Sequence, residues 1–213
     1  MEEVLTLLQA VGCPVEGLLG SRKLVHDFPE AGWRYLVVRT SDVPTYVEYG
    51  VADLGVVGKD DLLEERREVA ELVDLGFGRC RLAVAVPAGS RDLLNGTGIG
   101  RIRVATKYPR LAEEHFHDRG IQAEIIHLRG SVELAPLLGL SDVIVDLVST
   151  GRTLAENNLV AVEDLAVATA RLICNRVSFR LYHSRISAFS QAVREAAGVA
   201  AGGVAGEGNA ELQ

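Results

Sequence analysis

Strand-like and helix-like segments alternate along this chain, and the alternation restricts the possible folds more than any other feature. From residue 101 to residue 148 the order is strand, helix, strand, helix, strand, in the segments "RIRVATK", "PRLAEEHFHDRG", "IQAEIIHLR", "SVELAPLLG" and "DVIVDLV". Earlier strand-like segments are "WRYLVVRT", "ADLGVVG" and "RCRLAVAVP". This order is typical of α/β proteins with largely parallel sheets, so we predict an α/β fold.

A polar, glycine-containing stretch, "PAGSRDLLNGTGIG" at residues 87–100, interrupts the alternation. Because such stretches are typical of linkers, we interpret it as the crossing between two lobes. The helix-like segment "SFRLYHSRISAFSQAVREAAG" is expected to return to the first lobe. We therefore assign residues 1–88 and 170–198 to the first lobe and residues 89–169 to the second. The Gly/Ala-rich residues 199–213 have little to bury and are predicted to form a disordered tail.

The composition limits the kind of ligand site that the chain can carry. Its 213 residues have a formal net charge of −7, which argues against a broad attraction to nucleic acid or to anionic membranes. Phosphate chemistry would have to come from a local site. No apolar run approaches the roughly 20 residues of a membrane span, and the acidic start "MEEV" is not a signal peptide. Three distant cysteines without metal-ligand spacing indicate free thiols in the cytoplasm.

The segment "DLVSTGRTL", residues 146–154, reads as the end of a buried strand, a tight polar loop and the start of a helix. Gly151 allows the backbone to approach a ligand, and Ser149, Thr150 and Thr153 supply hydroxyl groups. Amides at the helix start, beside Arg152, would add oriented donors for a phosphate monoester. Asp146 could accept hydrogen bonds from sugar hydroxyls. The alternative is a cluster of helix-capping residues without a ligand.

A longer set of segments resembles one enzyme family. The stretch "SDVIVDLVSTGRTLAENNLV" is similar to the phosphoribosyl-diphosphate-binding signature of the ATP phosphoribosyltransferases. Other segments resemble the same family and occur in the same order as in that family: "SRKL", "VRTSDVPTYVEYGVADLGVVGKDDLLE", "DLGFGRCRLAVAV", "RVATKYP", "GSVELAPLLGL" and "TARLICNR". Together these segments cover most of residues 21–180.

The resemblance implies a fold and a reaction. The family fold is two-lobed and similar to that of a type II periplasmic-binding protein, with the ligand cleft between the lobes. The reaction joins N1 of the ATP adenine to the anomeric carbon of 5-phosphoribosyl 1-diphosphate, giving N1-(5-phosphoribosyl)-ATP and pyrophosphate in the first step of histidine biosynthesis. The enzyme is a glycosyltransferase, and Mg²⁺ accompanies the diphosphate.

Cations are needed where negative charge grows on the departing pyrophosphate. Arg39 is predicted to end the strand-like "YLVVR", just before a turn in which Ser41 caps a helix; Arg22, in "SRKL", matches the family pattern. A guanidinium group binds diphosphate oxygens through two parallel hydrogen bonds, so we assign both arginines catalytic roles. Surface ion pairing is the alternative for each.

Two further residues are weaker candidates. Lys59 follows "LGVVG" and could reach a phosphate, or it could be a solvated lysine at a helix start. Glu133, predicted in the first turn of a helix, is favoured there by the helix dipole. We assign Glu133 to phosphoribosyl-diphosphate binding, through ribose hydroxyls or magnesium. No protein side chain is assigned as a metal ligand.

Two other functions remain open on the sequence. A two-lobed sensor would close on an anion at residues 149–153 without turnover. A base-salvage phosphoribosyltransferase would carry two adjacent acids before the phosphate loop, whereas Leu147 stands beside Asp146 here.

The resemblance also leads to expectations about the chain ends. The chain is similar to the short form of the family, which assembles with a regulatory subunit resembling histidyl-tRNA synthetase, so the isolated chain should be insensitive to histidine. Family members begin with a strand, roughly "TIALPKGR", before the helix that corresponds to "EEVLTLLQAV". We therefore expect the true start to lie upstream of Met1. The coding DNA should continue upstream in the same reading frame, and the native protein should have a larger intact mass.

Overall fold

The computed structural model describes residues 1–94 and 100–198. The predicted tail and the middle of the predicted linker lie outside these residues. The strands are β1 (Val25–Phe28), β2 (Trp33–Leu36), β3 (Leu54–Gly58), β4 (Val69–Asp74), β5 (Cys80–Pro87), β6 (Ile102–Thr106), β7 (Ala123–His127), β8 (Val143–Val148), β9 (Leu159–Ala168) and β10 (Ala170–Asn175). The α-helices are α1 (Glu2–Ala10), α2 (Val43–Glu48), α3 (Lys59–Glu65), α4 (Pro109–Asp118), α5 (Leu134–Leu137), α6 (Arg152–Glu156), α7 (Arg176–Leu181) and α8 (His183–Ala196). None of the described helices is long and apolar enough to cross a membrane.

The smaller lobe is built on a three-stranded sheet in the order β3-β10-β4. Alternate residues of the central strand face opposite sides, as a period of two requires. Leu172 packs with Leu7 of α1 and Val193 of α8, so the long C-terminal helix returns to this lobe as predicted. Ile173 packs on the other face with Val47 of α2.

The larger lobe is built on a five-stranded sheet in the order β7-β6-β8-β5-β9. One face buries a valine-rich layer beneath α4, where Phe116 is fully buried with Val104 and Val145. The other face carries smaller residues, including Ala105, and is covered by side chains from α5 and α6. Helices on both faces bury the strands from both sides, which explains the continuous apolar run of β8.

The α/β fold with two lobes is confirmed, but the prediction of largely parallel sheets is wrong. Only the β6–β7 and β6–β8 pairs are parallel among the described strands. β10 runs antiparallel to β3 and β4, and β5 runs antiparallel to β8 and β9. A parallel pair needs a crossover between its strands. β5 and β10 enter from the other sheet instead, so they are free to pair antiparallel.

The crossings between the lobes also differ from the prediction. β5 lies in the larger sheet although it falls within residues 1–88. The chain therefore crosses at residues 75–79, between β4 and β5, and returns at Thr169, between β9 and β10. The described part of the predicted linker joins β5 to β6 within one sheet. Its polar character reflects a surface connection, not a lobe boundary.

The segment before α2 shows two local differences. The predicted strand "WRYLVVRT" stops at Leu36, where β2 pairs with β1 in a separate antiparallel hairpin. Ser41 lies inside a short 3₁₀ helix (Thr40–Asp42), and Asp42 is the residue before α2, so the predicted cap at Ser41 is wrong. Arg39 is consequently the residue before the 3₁₀ helix and does not end a strand.

The two lobes are joined by buried polar contacts between α3 and the start of α4. The Tyr108 hydroxyl, in a side chain that is 1% exposed, donates to the Asp60 carboxylate at 2.7 Å. The Glu64 carboxylate accepts from the backbone amides of Arg110 and Leu111 at 2.9 and 3.0 Å, two amides in the first turn of α4 that have no partner within the helix. These contacts fix the position of α3 in the smaller lobe relative to α4 in the larger lobe.

Tyr108→Phe tests the buried contact between the lobes. The change leaves the Asp60 carboxylate buried without its phenolic donor, so we expect the free energy of unfolding to fall by about 1–3 kcal/mol. Urea denaturation followed by circular dichroism measures the loss. Tyr49→Phe, at a side chain that is 74% exposed, is the control and should change little. Equal stability of both variants would contradict the assigned role.

Candidate active site

The carboxyl ends of three parallel strands, β7, β6 and β8, meet at one edge of the larger sheet. Ligands of open α/β sheets bind at this kind of edge. The register pairs Thr106 of β6 with Val145 of β8, so the next residues, Lys107 and Asp146, are neighbours across the two strands. The predicted phosphate loop follows Asp146 on the same side.

The predicted loop at residues 149–153 joins the end of β8 to the start of α6. Gly151 has φ of +77° and is the residue before α6, a left-handed conformation that glycine adopts without steric cost. Ser149, Thr150, Arg152 and Thr153 are exposed. The Arg152 side chain is held by Glu156 one turn later, with Nε and Oε1 2.9 Å apart. The exposed hydroxyl residues therefore lie at the edge of the sheet, and Oγ1 of Thr150 accepts from the Arg152 amide at 3.4 Å.

Asp146 is partly buried at the end of β8, and desolvation raises the pKa of its carboxyl group. One oxygen accepts from the backbone amide of Leu147 at 2.8 Å, which lowers the pKa and opposes this effect. Glu133 raises the pKa further by repulsion, and Lys107 lowers it. The carboxylate thus lies in an environment that favours additional hydrogen-bond donors, such as sugar hydroxyls.

The raised pKa of Asp146 predicts that removing its charge increases stability at neutral pH but weakens ligand binding. Between the ordinary and the raised pKa the folded chain holds more protons than the unfolded chain, so this group lowers stability as the pH rises. Asp146→Asn should therefore unfold at higher urea than the wild-type chain at neutral pH, and lose that advantage at about pH 3 or below, where the aspartate is mostly protonated in both states. The same variant should bind sugar hydroxyls more weakly.

Asp142→Asn is the matched comparison at the other end of the strand. Arg103 donates to this carboxylate and lowers its pKa, so the substitution should decrease stability at neutral pH. Urea midpoints of both variants at the two pH values check the opposite signs. A destabilised Asp146→Asn chain at neutral pH would show that the desolvation argument is wrong.

Lys107 is a cation at this edge of the sheet, and it lies between acidic residues of both lobes. Its Nζ is 3.5 Å from Oδ1 of Asp61, a residue of α3 that is 4% exposed. Burial raises the pKa of Asp61, as does neighbouring Asp60, while Lys107 and the Thr40 side chain lower it. Asp61 consequently links the edge of the larger sheet to the 3₁₀ helix of the smaller lobe.

This link brings the backbone at Arg39 close to Asp61, because Arg39 directly precedes Thr40. Arg39 is exposed, and its guanidinium makes no hydrogen bond or ion pair with any residue in the described ranges. It is therefore available to a ligand. The alternative of a surface ion pair finds no partner among the described side chains.

The links between the loop and the other predicted site residues, Glu133, Lys59 and Arg22, are weaker. Glu133 is the residue before α5, not a member of its first turn, and its charge acts on Asp146. Lys59 donates to Glu71 of β4 at 2.6 Å, and no contact within the described residues connects its ammonium group to the loop. Arg22 is exposed in the segment before β1, and no contact within the described residues connects it to the loop.

Sequence reasoning missed Lys107 and Asp61. Lys107 carries the same signal that selected Arg39, a cation that follows a strand-like segment, and it lies in the quoted segment "RVATKYP". Asp61 had no such signal, because an acid in the first turn of a helix is favoured by the dipole in any protein. Only the packing of α3 against the larger lobe shows its role.

A metal site built from protein side chains alone is not present among the described residues, which hold no group of three or more His, Cys, Asp or Glu suited to a metal ion. Mg²⁺ often binds through one or two carboxylates together with substrate phosphates and water. Asp146 and Glu133 are the carboxylates beside the loop that suit this sharing. The residues therefore fit an ion carried by a diphosphate ligand.

An open groove of about 490 Å³ lies elsewhere, beside the C-terminal part of α4. Arg101 lines it, and this residue precedes β6 at the amino end of the strand. The groove is thus on the opposite edge from Lys107. Because ligands of open α/β sheets bind at the carboxyl ends of strands, we place the site at the loop and not in this groove.

Comparison with known proteins adds four findings. The family model HisG, described as ATP phosphoribosyltransferase, matches residues 39–195. An ATP phosphoribosyltransferase of Moorella thermoacetica is 54% identical over 203 residues, which cover 92% of this chain and 89% of that protein. ATP phosphoribosyltransferase 2 of Geobacter sulfurreducens is 52% identical over 188 residues, covering 88% and 89%. The chain also superposes on a chain of the ATP phosphoribosyl transferase (HisG:HisZ) complex from Thermotoga maritima, with a TM-score of 0.80, 34% identity and coverage of 92% and 93%.

Proposed function

Since the chain belongs to the ATP phosphoribosyltransferase family, we propose that it condenses ATP with 5-phosphoribosyl 1-diphosphate to give N1-(5-phosphoribosyl)-ATP and pyrophosphate, the first step of histidine biosynthesis. The observation that carries the proposal is the meeting of the loop at residues 149–153, Asp146 and Lys107 at one sheet edge, opposite Asp61. This edge offers donors for a phosphate, an acceptor for ribose and cations for a diphosphate.

The roles follow from what each group can do. Loop amides and hydroxyls bind the 5′-phosphate, and Asp146 accepts from the ribose hydroxyls. Arg39 stabilises the charge that grows on departing pyrophosphate, with Arg22 as a second cation from the smaller lobe. The N1 lone pair of adenine attacks the anomeric carbon as the bond to the diphosphate breaks, and no proton has to be removed first. Mg²⁺, when bound with the diphosphate, would neutralise part of its charge, and Asp146 and Glu133 are the carboxylates that would share the ion.

One assay separates this function from its alternatives. The purified chain is incubated with ATP, phosphoribosyl diphosphate and magnesium, and pyrophosphate release is followed together with near-ultraviolet absorbance. We expect release that depends on ATP and a new absorbing adduct. Binding of phosphoribosyl diphosphate without turnover, with and without candidate partners, would favour an anion sensor. Turnover with a free base in place of ATP would favour base salvage.

We also propose that the chain works in the cytoplasm with a regulatory partner that resembles histidyl-tRNA synthetase. Similarity to a chain of a HisG:HisZ complex supports such an assembly, and the three cysteines, all free, are compatible with a reducing compartment.

The partner proposal predicts where histidine acts. Turnover by the isolated chain should be unchanged by histidine, because the inhibitor would bind the partner. Addition of the HisZ-like protein of the same organism should produce a larger complex on size-exclusion chromatography and make turnover sensitive to histidine. Histidine inhibition of the purified chain alone would refute this arrangement.

A further inference from the structure

Lys107 is the residue at the sheet edge that the family signature leaves without a role. It is in the larger lobe, beside Asp146, and it reaches across to Asp61 of the smaller lobe. Its side chain is 37% exposed, so the ammonium group is accessible to a ligand between these two acids. No other lysine has this position, since Lys59 is bound to Glu71 and Lys23 precedes β1.

Several acidic residues surround Lys107, so an anionic ligand can bind here only if a cation offsets their negative charge. Asp60, Asp61, Asp146 and Glu133 bring four carboxyl groups to the junction of the lobes, and Asp60 is already occupied by the Tyr108 hydroxyl. A diphosphate that approached these acids without a neutralising group would be repelled. Lys107 is the positive side chain whose charge lowers the pKa of both Asp61 and Asp146.

The present contact leaves Lys107 donors for a ligand. An ammonium group has three donors, and the described residues supply one acceptor for it, Asp61 at the long distance of 3.5 Å. The Lys107 ammonium also lies 5.1 Å from the ring centre of Tyr108, so its stem is supported by a fully buried side chain. The lysine side chain is therefore held in place, while its ammonium group keeps hydrogen-bond donors for a ligand.

We propose that Lys107 binds the diphosphate of the phosphoribosyl donor and that Asp61 positions its ammonium group for this contact. This inference rests on the proposed function for the identity of the ligand. The loop at residues 149–153 holds the 5′-phosphate and Asp146 the ribose, so the 1-diphosphate extends from Asp146 toward the smaller lobe. Lys107 lies between Asp146 and Asp61, and Asp61 also contacts the side chain of Thr40, the residue after Arg39.

The test uses Lys107→Met, which keeps the apolar stem and removes the charge. Calorimetric titration with inorganic pyrophosphate and magnesium measures the contact without turnover. Losing a hydrogen bond to a charged group corresponds to an affinity about ten- to a hundredfold weaker. The KM for phosphoribosyl diphosphate should rise by a similar factor while the KM for ATP stays unchanged, and Lys107→Arg should recover part of the affinity. Asp61→Asn should weaken pyrophosphate binding less than Lys107→Met.

Arg101→Met is the matched control, because it removes a cation before the amino end of the same strand, 3.6 Å from Glu124. It should bind pyrophosphate like the wild-type chain. Equal pyrophosphate affinity of Lys107→Met and Arg101→Met would overturn the inference, and so would an equal rise in KM for both substrates, which indicates a structural role. The titration decides the inference even if the wild-type chain fails to turn over ATP, a result that would count against the proposed function alone.

Discussion

Gly151→Val should abolish measurable binding of phosphoribosyl diphosphate while the chain remains folded. The φ of +77° at this position costs a residue with a Cβ about 1–2 kcal/mol, and more for a branched side chain, so the loop must change conformation. The change displaces several donors at once. Because each hydrogen bond to a charged group contributes about 1.5–3 kcal/mol, we expect affinity to fall more than about a hundredfold in calorimetry.

The surroundings of Gly151 indicate that the effect is confined to the loop. A Cβ at this position would meet only Cγ1 of Val148, at the ordinary distance of 3.9 Å, so no core side chain has to move. Thr150→Ala is a graded companion and should cost about 1–3 kcal/mol of binding if its hydroxyl contacts the phosphate.

Gly120→Val provides the control for backbone strain. Gly120 has φ of +68°, a Cβ at this position would have no described atom within 4 Å, and the residue follows α4 at the far edge of the sheet. This variant should lose comparable stability and keep its affinity for phosphoribosyl diphosphate. Unchanged affinity in Gly151→Val would move the phosphate site away from the loop.

Arg39→Ala should reduce kcat far more than it changes the KM of either substrate. A donor that acts mainly on charge developing in the transition state contributes about a hundred- to a thousandfold to kcat. The exposed guanidinium has no acidic partner among the described residues, so its removal leaves no buried charge unpaired. Steady-state kinetics with both substrates varied measure the effect.

Two variants sharpen the Arg39 prediction. Arg39→Lys should restore little activity, because an ammonium group cannot form the two parallel hydrogen bonds of a guanidinium. Arg34→Ala removes an arginine that pairs with Asp27 in the β1–β2 hairpin, and it should leave kcat unchanged. Near-normal kcat in Arg39→Ala would show that this arginine is a surface residue without a catalytic role.

The sequence itself determined the parts of this protein that depend on local pattern. Strand-like segments identified β5, β6 and β8, and the order of strands and helices predicted the α/β class. The loop after β8 was identified from small hydroxyl residues and a glycine. These features depend on neighbours within a few positions, where period, propensity and steric freedom act directly.

The tertiary structure decided what depends on residues far apart in the chain. Strand direction could not be inferred, because β5 and β10 each cross from the other sheet and pair with strands that entered by a different route. Asp61 is separated from Lys107 by 46 positions, and only the packing of α3 against α4 brings the two together. Burial then changed their chemistry: an ordinary acid at a helix start became a desolvated partner for a lysine. Such effects come from the exclusion of water between packed surfaces, which no local stretch of sequence records.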